Sequence, residues 1–373
     1  MRLALQRLLL VLAGAGLSLA PRGGASAQTG FVHEELRIPT AAAGPAGLEA
    51  LLVRPEGKGP FPLVLVNHGS PRDPAERPTM TPAQMTGRLT AFARRGFVAL
   101  AVMRRGYGGS GGGWAEGLGP CSRPGYPAAA AAGVADPQAA VAALSARPDV
   151  DAHHILAVGV SAGGFATVAL TSDPPPGLVA AISFAGGRGS EAPDTVCSED
   201  QLVSTFGALG ARSRIPMLWV YAQNDHFFGP ALAERFKEAF VSAGGRVTFI
   251  KAQPFGEDGH LLFSDAGASV WEPVVDEFLR PQGLEAAKAP LAAPALPQIA
   301  APAGLRANGQ AAFRSYLAAA PHKAFAMTPA GAFGWRSARR SDEEAVEAAL
   351  ASCTANAPSG CKVVMVNDLP AAK

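Results

Sequence analysis

The stretch from Ile155 to Leu170 leaves this chain little conformational choice. An apolar run, Ile155-Leu-Ala-Val-Gly-Val160, meets a helix-forming run, Phe165-Ala-Thr-Val-Ala-Leu170, across only four residues. The spacing predicts strand, sharp turn and helix, with Ser161 at the apex of Gly159-Val-Ser-Ala-Gly163. Glycine is needed on both sides because the turn forces the serine into a strained backbone conformation, and a larger neighbour would strike strand or helix. That strain lifts the hydroxyl above the sheet edge, within reach of a base and a substrate. A chain with 43 glycines produces G-x-S-x-G by chance, so the flanking strand and helix carry the weight.

Strand and helix signals alternate from residue 31 to about residue 283. Phe31–Pro39 and Leu48–Pro55 read as an opening antiparallel pair joined by Gly44-Pro-Ala-Gly47. Leu63–Asn67, Val98–Met103, Ile155–Val160, Leu178–Phe184, Met217–Tyr221 and Val247–Lys251 follow as apolar strands. Helices are expected at Met85–Arg95, Pro137–Ala146, Gly163–Thr171, Gln201–Ala211, Pro230–Ala243 and Ser269–Phe278. Continuous apolar strands alternating with helices imply an α/β protein: a doubly wound, mostly parallel eight-stranded sheet covered on both faces. Residues 284–308 are rich in Pro and Ala and read as a semi-rigid linker. Residues 309–373 then offer helix, strand, a helix opened by the capping box Ser341-x-x-Glu344, and strand: a small α+β domain.

The chain opens like a secretory signal, residues 1–27. Arg2 and Arg7 precede an apolar core, Leu8 to Ala20, and Ala25-Ser-Ala27 is a small-residue cleavage site. The apolar run is short of the roughly 20 residues that span a bilayer, so the expectation is export to the periplasm or beyond, with no transmembrane segment after cleavage. Cleavage removes three arginines and no acid, taking the formal charge from +2 to −1. A near-neutral chain gives no electrostatic reason to expect a nucleic acid partner. Oligomeric state is not legible.

Four cysteines in an exported chain suggest two disulfides. Three pairings are possible. Cys353 and Cys361 suit a local loop that would staple the small C-terminal domain, which leaves Cys121 with Cys197. The spacing is not that of a zinc site, and no metal is expected.

A serine nucleophile needs a base, and the base needs an acid to orient it. In a doubly wound sheet all three belong on loops at the carboxyl ends of strands. That filter selects among seven histidines. His153 and His154 precede their strand, His33 lies within one, His322 is in the tail, and His226 adjoins the acid candidate. His260 follows the last strand of the sheet and is the expected base. Asp225, on the loop after Met217–Tyr221, is the expected orienter, with Asp258 as a rival on the histidine's own loop. The oxyanion needs two backbone N–H donors. Ala162, opening a helix after the nucleophile, is one; Ser70, in Asn67-His-Gly-Ser70 after the third strand, is the other.

Asn67-His-Gly-Ser70, Arg105-Gly-Tyr-Gly-Gly-Ser110, Gly159-Val-Ser-Ala-Gly163, Asn224-Asp225 and Asp258-Gly-His260, in that order, resemble the α/β-hydrolase superfamily, above all its dienelactone-hydrolase-like and prolyl-oligopeptidase-like branches. The resemblance spans about residues 31–283. It implies a catalytic domain over residues 28–283 that acts on a small ester or amide substrate without a cofactor. Dienelactone hydrolases carry a cysteine nucleophile where this chain has Ser161, and the tail and Cys121 segment depart from that branch.

Gly106-Tyr-Gly-Gly-Ser-Gly111 matches G-x-G-x-x-G after a strand, but Gly-Gly-Trp114 and a Pro/Gly-rich stretch follow where a dinucleotide site needs a helix. Residues 107–136 therefore read as a long connection at the carboxyl edge of the sheet. A Cys121–Cys197 bond would pin it to the loop after Leu178–Phe184 as a lid over Ser161. Tyr107, Trp114, Phe227 and Phe228 are the pocket or lid candidates. The leading expectation is an exported serine esterase; a serine peptidase of the same fold and a non-catalytic envelope binding protein are the alternatives.

Overall fold

The computed structural model describes residues 30–284 and 289–371; the signal segment at residues 1–27 lies outside them. Eight strands build one sheet: β1 (Phe31–Thr40), β2 (Gly44–Pro55), β3 (Phe61–Asn67), β4 (Val98–Val102), β5 (Val150–Val160), β6 (Leu178–Phe184), β9 (Met217–Ala222) and β10 (Val247–Ala252). Their spatial order is β1-β2-β4-β3-β5-β6-β9-β10. Only the β1/β2 and β2/β4 pairs are antiparallel; from β4 to β10 every pair is parallel. Between β6 and β9 the chain adds a short hairpin, β7 (Ser190–Ala192) and β8 (Thr195–Val196), which the sequence reading did not foresee.

The strands are apolar at successive positions because both faces are covered. Leu63 and Leu65 of β3 point into one core, Val64 and Val66 into the other. The first core receives α2 (Tyr126–Ser145), α3 (Ala162–Leu170), α4 (Glu199–Arg212) and α5 (Pro230–Ser242); Phe165, Phe206 and Phe236 pack there beside Trp219 of β9. The second receives α1 (Thr86–Arg94) and α6 (Ala268–Leu279), through Leu89, Phe92, Trp271 and Val275. This is the doubly wound arrangement expected from the alternation of elements.

Two local expectations need correction. The opening hairpin turns at Ala41–Ala43, with Thr40 opposite Gly44, so Gly44–Gly47 belong to β2 rather than to the turn. The second correction is larger. Helix α2 opens at Tyr126 with a proline in its first turn and carries Pro137 inside it. An alanine run has high intrinsic helicity, and burial of Tyr126, Ala130 and Val134 anchors that first half. The irregular connection after β4 therefore ends at Gly125 instead of residue 136.

The C-terminal segment forms its own sheet, β12-β11-β13-β14, from β11 (Ala324–Met327), β12 (Phe333–Arg336), β13 (Lys362–Val366) and β14 (Leu369–Pro370). All three pairings are antiparallel, and α7 (Ala307–Ala318) and α8 (Asp342–Asn356) accompany the sheet. The Ser341 hydroxyl caps α8 by accepting from Glu344 N–H at 3.2 Å, while the Glu344 carboxylate accepts from Arg340 N–H. Cys353 of α8 is bonded to Cys361. The chain reaches this module through residues 289–306, which lack regular structure and are held to α1 by Leu291 and Arg94. Among the described residues, no helix is long and apolar enough to cross a membrane.

Trp219 has no solvent exposure and packs edge-on against Phe206 and tilted against Phe240. Trp219→Ala is expected to lower unfolding free energy by about 3–5 kcal/mol, read from chemical denaturation of the purified protein.

Candidate active site

The turn after β5 has the strained geometry that its sequence demands. Ser161 sits at φ 56° and ψ −125°, a region that costs about 1–3 kcal/mol for a non-glycine residue. The surroundings hold it there. Its N–H donates to Phe184 O of β6 at 3.0 Å, and its carbonyl accepts from Phe165 N and Gly187 N. A Cβ at Gly159 would lie 2.2 Å from Gly163 O, and one at Gly163 would lie 2.2 Å from Asn67 O and 2.4 Å from His68 O. The start of α3 thus rests directly on the end of β3. Gly69 packs on the other side, less closely, with a Cβ there falling 3.3 Å from Ser161 Cβ. Ser70 and Ala162 line the same cavity as Ser161, and among the described residues neither N–H has a hydrogen-bond acceptor.

Asp225 and His260 meet at the carboxyl edge. The His260 Nδ1 lies 3.2 Å and 3.1 Å from the two Asp225 oxygens, with the residues 8% and 2% exposed. A carboxylate facing Nδ1 selects the tautomer protonated there and leaves Nε2 as the basic nitrogen. Asp225 is itself oriented, because its Oδ1 accepts from Phe227 N and Phe228 N at 2.7 Å and 2.9 Å. Asn224 ties the two loops together: its side chain bonds Phe255 and Gly256, and its carbonyl accepts from Gly259 N. Phe227 stacks on the His260 ring at 3.8 Å between centroids. Ser161 Oγ makes no hydrogen bond among the described residues, so its contact with His260 stands open in this structure. Asp258 has a different task, since its Oδ1 accepts from the backbone N–H groups of His260 and His226.

His153 and His154 do not precede their strand as expected: β5 begins at Val150, so both lie within its first half, at the end away from Ser161, while His33 lies in β1 as expected. His68 lies under the Gly69–Ser70 turn, donating from Nδ1 to Gly69 O at 2.6 Å and accepting from Arg104 N at Nε2. Burial, and then the Arg104 charge, push its pKa well below 6.5 and keep it neutral. Arg104 also donates to the His68 carbonyl and pairs with Glu116, which pairs in turn with Arg188. Burial raises the Glu116 carboxyl, but the two guanidiniums outweigh it and hold it below the ordinary carboxylate value.

A cavity of about 490 Å³ opens above Ser161. Trp114, Phe227 and Phe228 line it. Tyr107 does not: it is fully buried behind Trp114, edge-on to both Trp114 and His68. Its position one residue after Gly106 turns it inward, which spacing alone does not reveal. One wall is made where Cys121 is bonded to Cys197, joining the connection after β4 to the β7–β8 hairpin. The Gly106–Gly111 run is a loop docked on β2, with Gly109 N–H donating to Glu49 and Gly111 N–H to Gly47 O. Sequence reasoning missed Arg72, Arg77, Glu116 and Arg188 in the cavity wall. Their only signal is that each lies on a connection that leaves a strand at this edge.

A family model described as X-Pro dipeptidyl-peptidase (S15 family) matches residues 44–211, a span that includes Ser70, Ser161 and Ala162 and ends before Asp225. No curated protein matches the chain. Among solved structures, a thermophilic esterase from Thermogutta terrifontis, solved with propionate bound, is 20% identical at a TM-score of 0.47, covering 69% of this chain and 96% of its own. An acetyl xylan esterase from Paenibacillus is 17% identical at 0.49, over 69% of this chain and 86% of its own. Dipeptidyl peptidase 4 from Porphyromonas gingivalis is 19% identical at 0.49, over 67% of this chain but 35% of its own.

His226, exposed beside the site, faces Asp194 of the β7–β8 turn at 3.1 Å, which raises its pKa above 6.5. A raised value in the folded state means that this pin is complete at low pH and weakens as pH rises through it. NMR titration should place His226 above 6.5 and move it back toward 6.5 in Asp194→Asn. A second test concerns the turn. Gly163→Ala, forced against two backbone carbonyls, is expected to cost about 1–3 kcal/mol or more in thermal or chemical unfolding.

Proposed function

Taking the chain as a member of the α/β-hydrolase superfamily, we propose that it is an exported serine hydrolase that cleaves carboxylic esters. Ser161 attacks the ester carbonyl while His260 Nε2 takes its proton, and Asp225 holds the imidazole and stabilises its cation. The N–H groups of Ala162 and Ser70 receive the oxyanion, in a position where the N-terminus of α3 also favours negative charge. His260 then returns the proton to the leaving alkoxide. Water, deprotonated by the same histidine, releases the acyl group and restores Ser161. The observation that carries this reading is the buried His260–Asp225 pair at the sheet edge that also presents Ser161 in a left-handed elbow open to the cavity.

The proposed catalytic domain is residues 28–283, followed by a linker over 284–308 and a disulfide-stapled module over 309–373. Export is supported by the charged and apolar opening of the chain together with the two disulfides. A peptidase reading is kept beside the esterase one because the matching family model is that of a peptidase family; both use the same residues.

Fluorophosphonate labelling of the mature chain is expected to modify Ser161 alone, and p-nitrophenyl esters from acetyl to octanoyl are expected to be hydrolysed. Ser161→Ala should abolish both signals. Asp225→Asn should lower kcat by about 10³–10⁴ with labelling slowed. Labelling without ester turnover would shift the reading to the peptidase. Absence of both would leave a binding protein on a hydrolase fold.

A further inference from the structure

We propose that the cavity above Ser161 selects substrates bearing a carboxylate, which Arg72 and Arg77 hold; this deepens the hydrolase reading and rests on it. Three guanidiniums and two carboxylates line the cavity: Arg72, Arg77, Arg188, Glu116 and Glu191. Glu116 is consumed by Arg104 and Arg188 together. Glu191 is exposed and forms no ion pair among the described residues. Positive charge is therefore in local excess on a chain whose overall charge is close to neutral.

The two remaining guanidiniums have no acidic partner. Arg72 donates to Ser190 Oγ at 3.2 Å and 2.9 Å and to His226 O at 3.0 Å, all neutral acceptors. The Arg77 guanidinium lies over the Trp114 ring at 3.7 Å, has no hydrogen bond or ion pair among the described residues, and buries its Nε without a partner. The acids of their own loop form no ion pair with them: Asp73 accepts from Ala75 N, and Glu76 is exposed. Both guanidiniums are half-buried in the cavity wall and have no counter-ion, and such groups bind a carboxylate through paired, charge-assisted hydrogen bonds. A concave, partly apolar wall strengthens that attraction.

Both arginines are also held in place. Arg72 sits 3.4 Å above the Phe227 ring. His260 stacks on the same ring at 3.8 Å, so the two must occupy opposite faces. The anion subsite is thus one ring away from the proposed base. Arg77 lies in a short 3-10 segment whose carbonyl accepts from Gly108 N at 2.9 Å. The C-terminal module grips the same segment: Thr81 donates to Ala338 O at 2.7 Å, and Arg340 donates to the carbonyls of Pro78 and Met80. The tail thereby sets the position of a substrate-binding side chain.

The test compares esters matched in size with and without a carboxylate, on the acyl side (mono-p-nitrophenyl adipate against p-nitrophenyl hexanoate) and on the alcohol side (4-acetoxybenzoate against phenyl acetate), with spontaneous hydrolysis subtracted. The intact mature chain is expected to favour the acidic member of at least one pair by tenfold or more in kcat/KM. Arg72→Gln and Arg77→Gln should each cut that ratio at least fivefold. Reading a ratio removes the effect of any shared loss of folded enzyme, which fluorophosphonate labelling of Ser161 reports separately. No preference in either pair, or a preference unchanged in both variants, overturns the proposal. If no ester is turned over, the esterase reading has failed on its own, and calorimetry with adipate decides the subsite. Binding by the intact chain that is lost in Arg77→Gln sustains the subsite, and no binding overturns it.

Discussion

The site hangs on one close approach, the backbone of Gly163 against the carbonyl oxygens of Asn67 and His68. Because no side chain intervenes, the first turn of α3 can lie on the end of β3, and Ser161 is forced up into its left-handed conformation. The same contact brings the Gly69–Ser70 turn against the serine, so nucleophile and proposed oxyanion donors share one rigid wall. Strain at Ser161 persists because hydrogen bonds from three segments over-determine it. A larger residue at position 163 would part β3 from α3 and separate the groups that must act together.

Beneath that wall lies a buried ionic chain, Arg104–Glu116–Arg188, with the neutral His68 ring hydrogen-bonded to the Arg104 backbone N–H. Burying charges is costly, and an ion pair in a dry site often does no better than apolar residues of similar volume. Here its members also satisfy backbone groups: Arg104 donates to the His68 carbonyl, and Arg188 to the Glu116 carbonyl. The chain therefore cross-links the connections after β3, β4 and β6 at residues that lie outside any helix or strand. Its role is to give irregular backbone one conformation, and removing Glu116 alone would strand two guanidiniums.

The cavity is a composite. One part of its wall follows β3, a second follows β4, a third follows β6, and the loop after β9 supplies Phe227 and Phe228. Two devices hold these segments together. The Cys121–Cys197 bond joins the second to the third, and the C-terminal module steadies the first through Thr81, Pro78 and Met80. The tail carries no proposed catalytic residue, yet it contacts the loop that bears Arg77.

Much of this was legible in the sequence because the signals are local. Alternating apolar strands and amphipathic helices announce a doubly wound sheet, since a strand covered on both faces must be apolar at every position. The glycines around Ser161 announce a turn that only small residues permit, and chain order with the carboxyl-edge rule points to Asp225 and His260. The start of α2 and the turn of the first hairpin were misjudged because proline and glycine mark several kinds of boundary and only packing chooses among them. The side on which a loop residue faces is not local at all. Tyr107 and Trp114 lie on one connection, and only the fold around them buries the first and turns the second to the cavity. Arg72, Arg77 and Arg188 are unremarkable in the sequence; their meaning depends on which carboxylates come within reach, a question of distances between segments that only the tertiary structure decides.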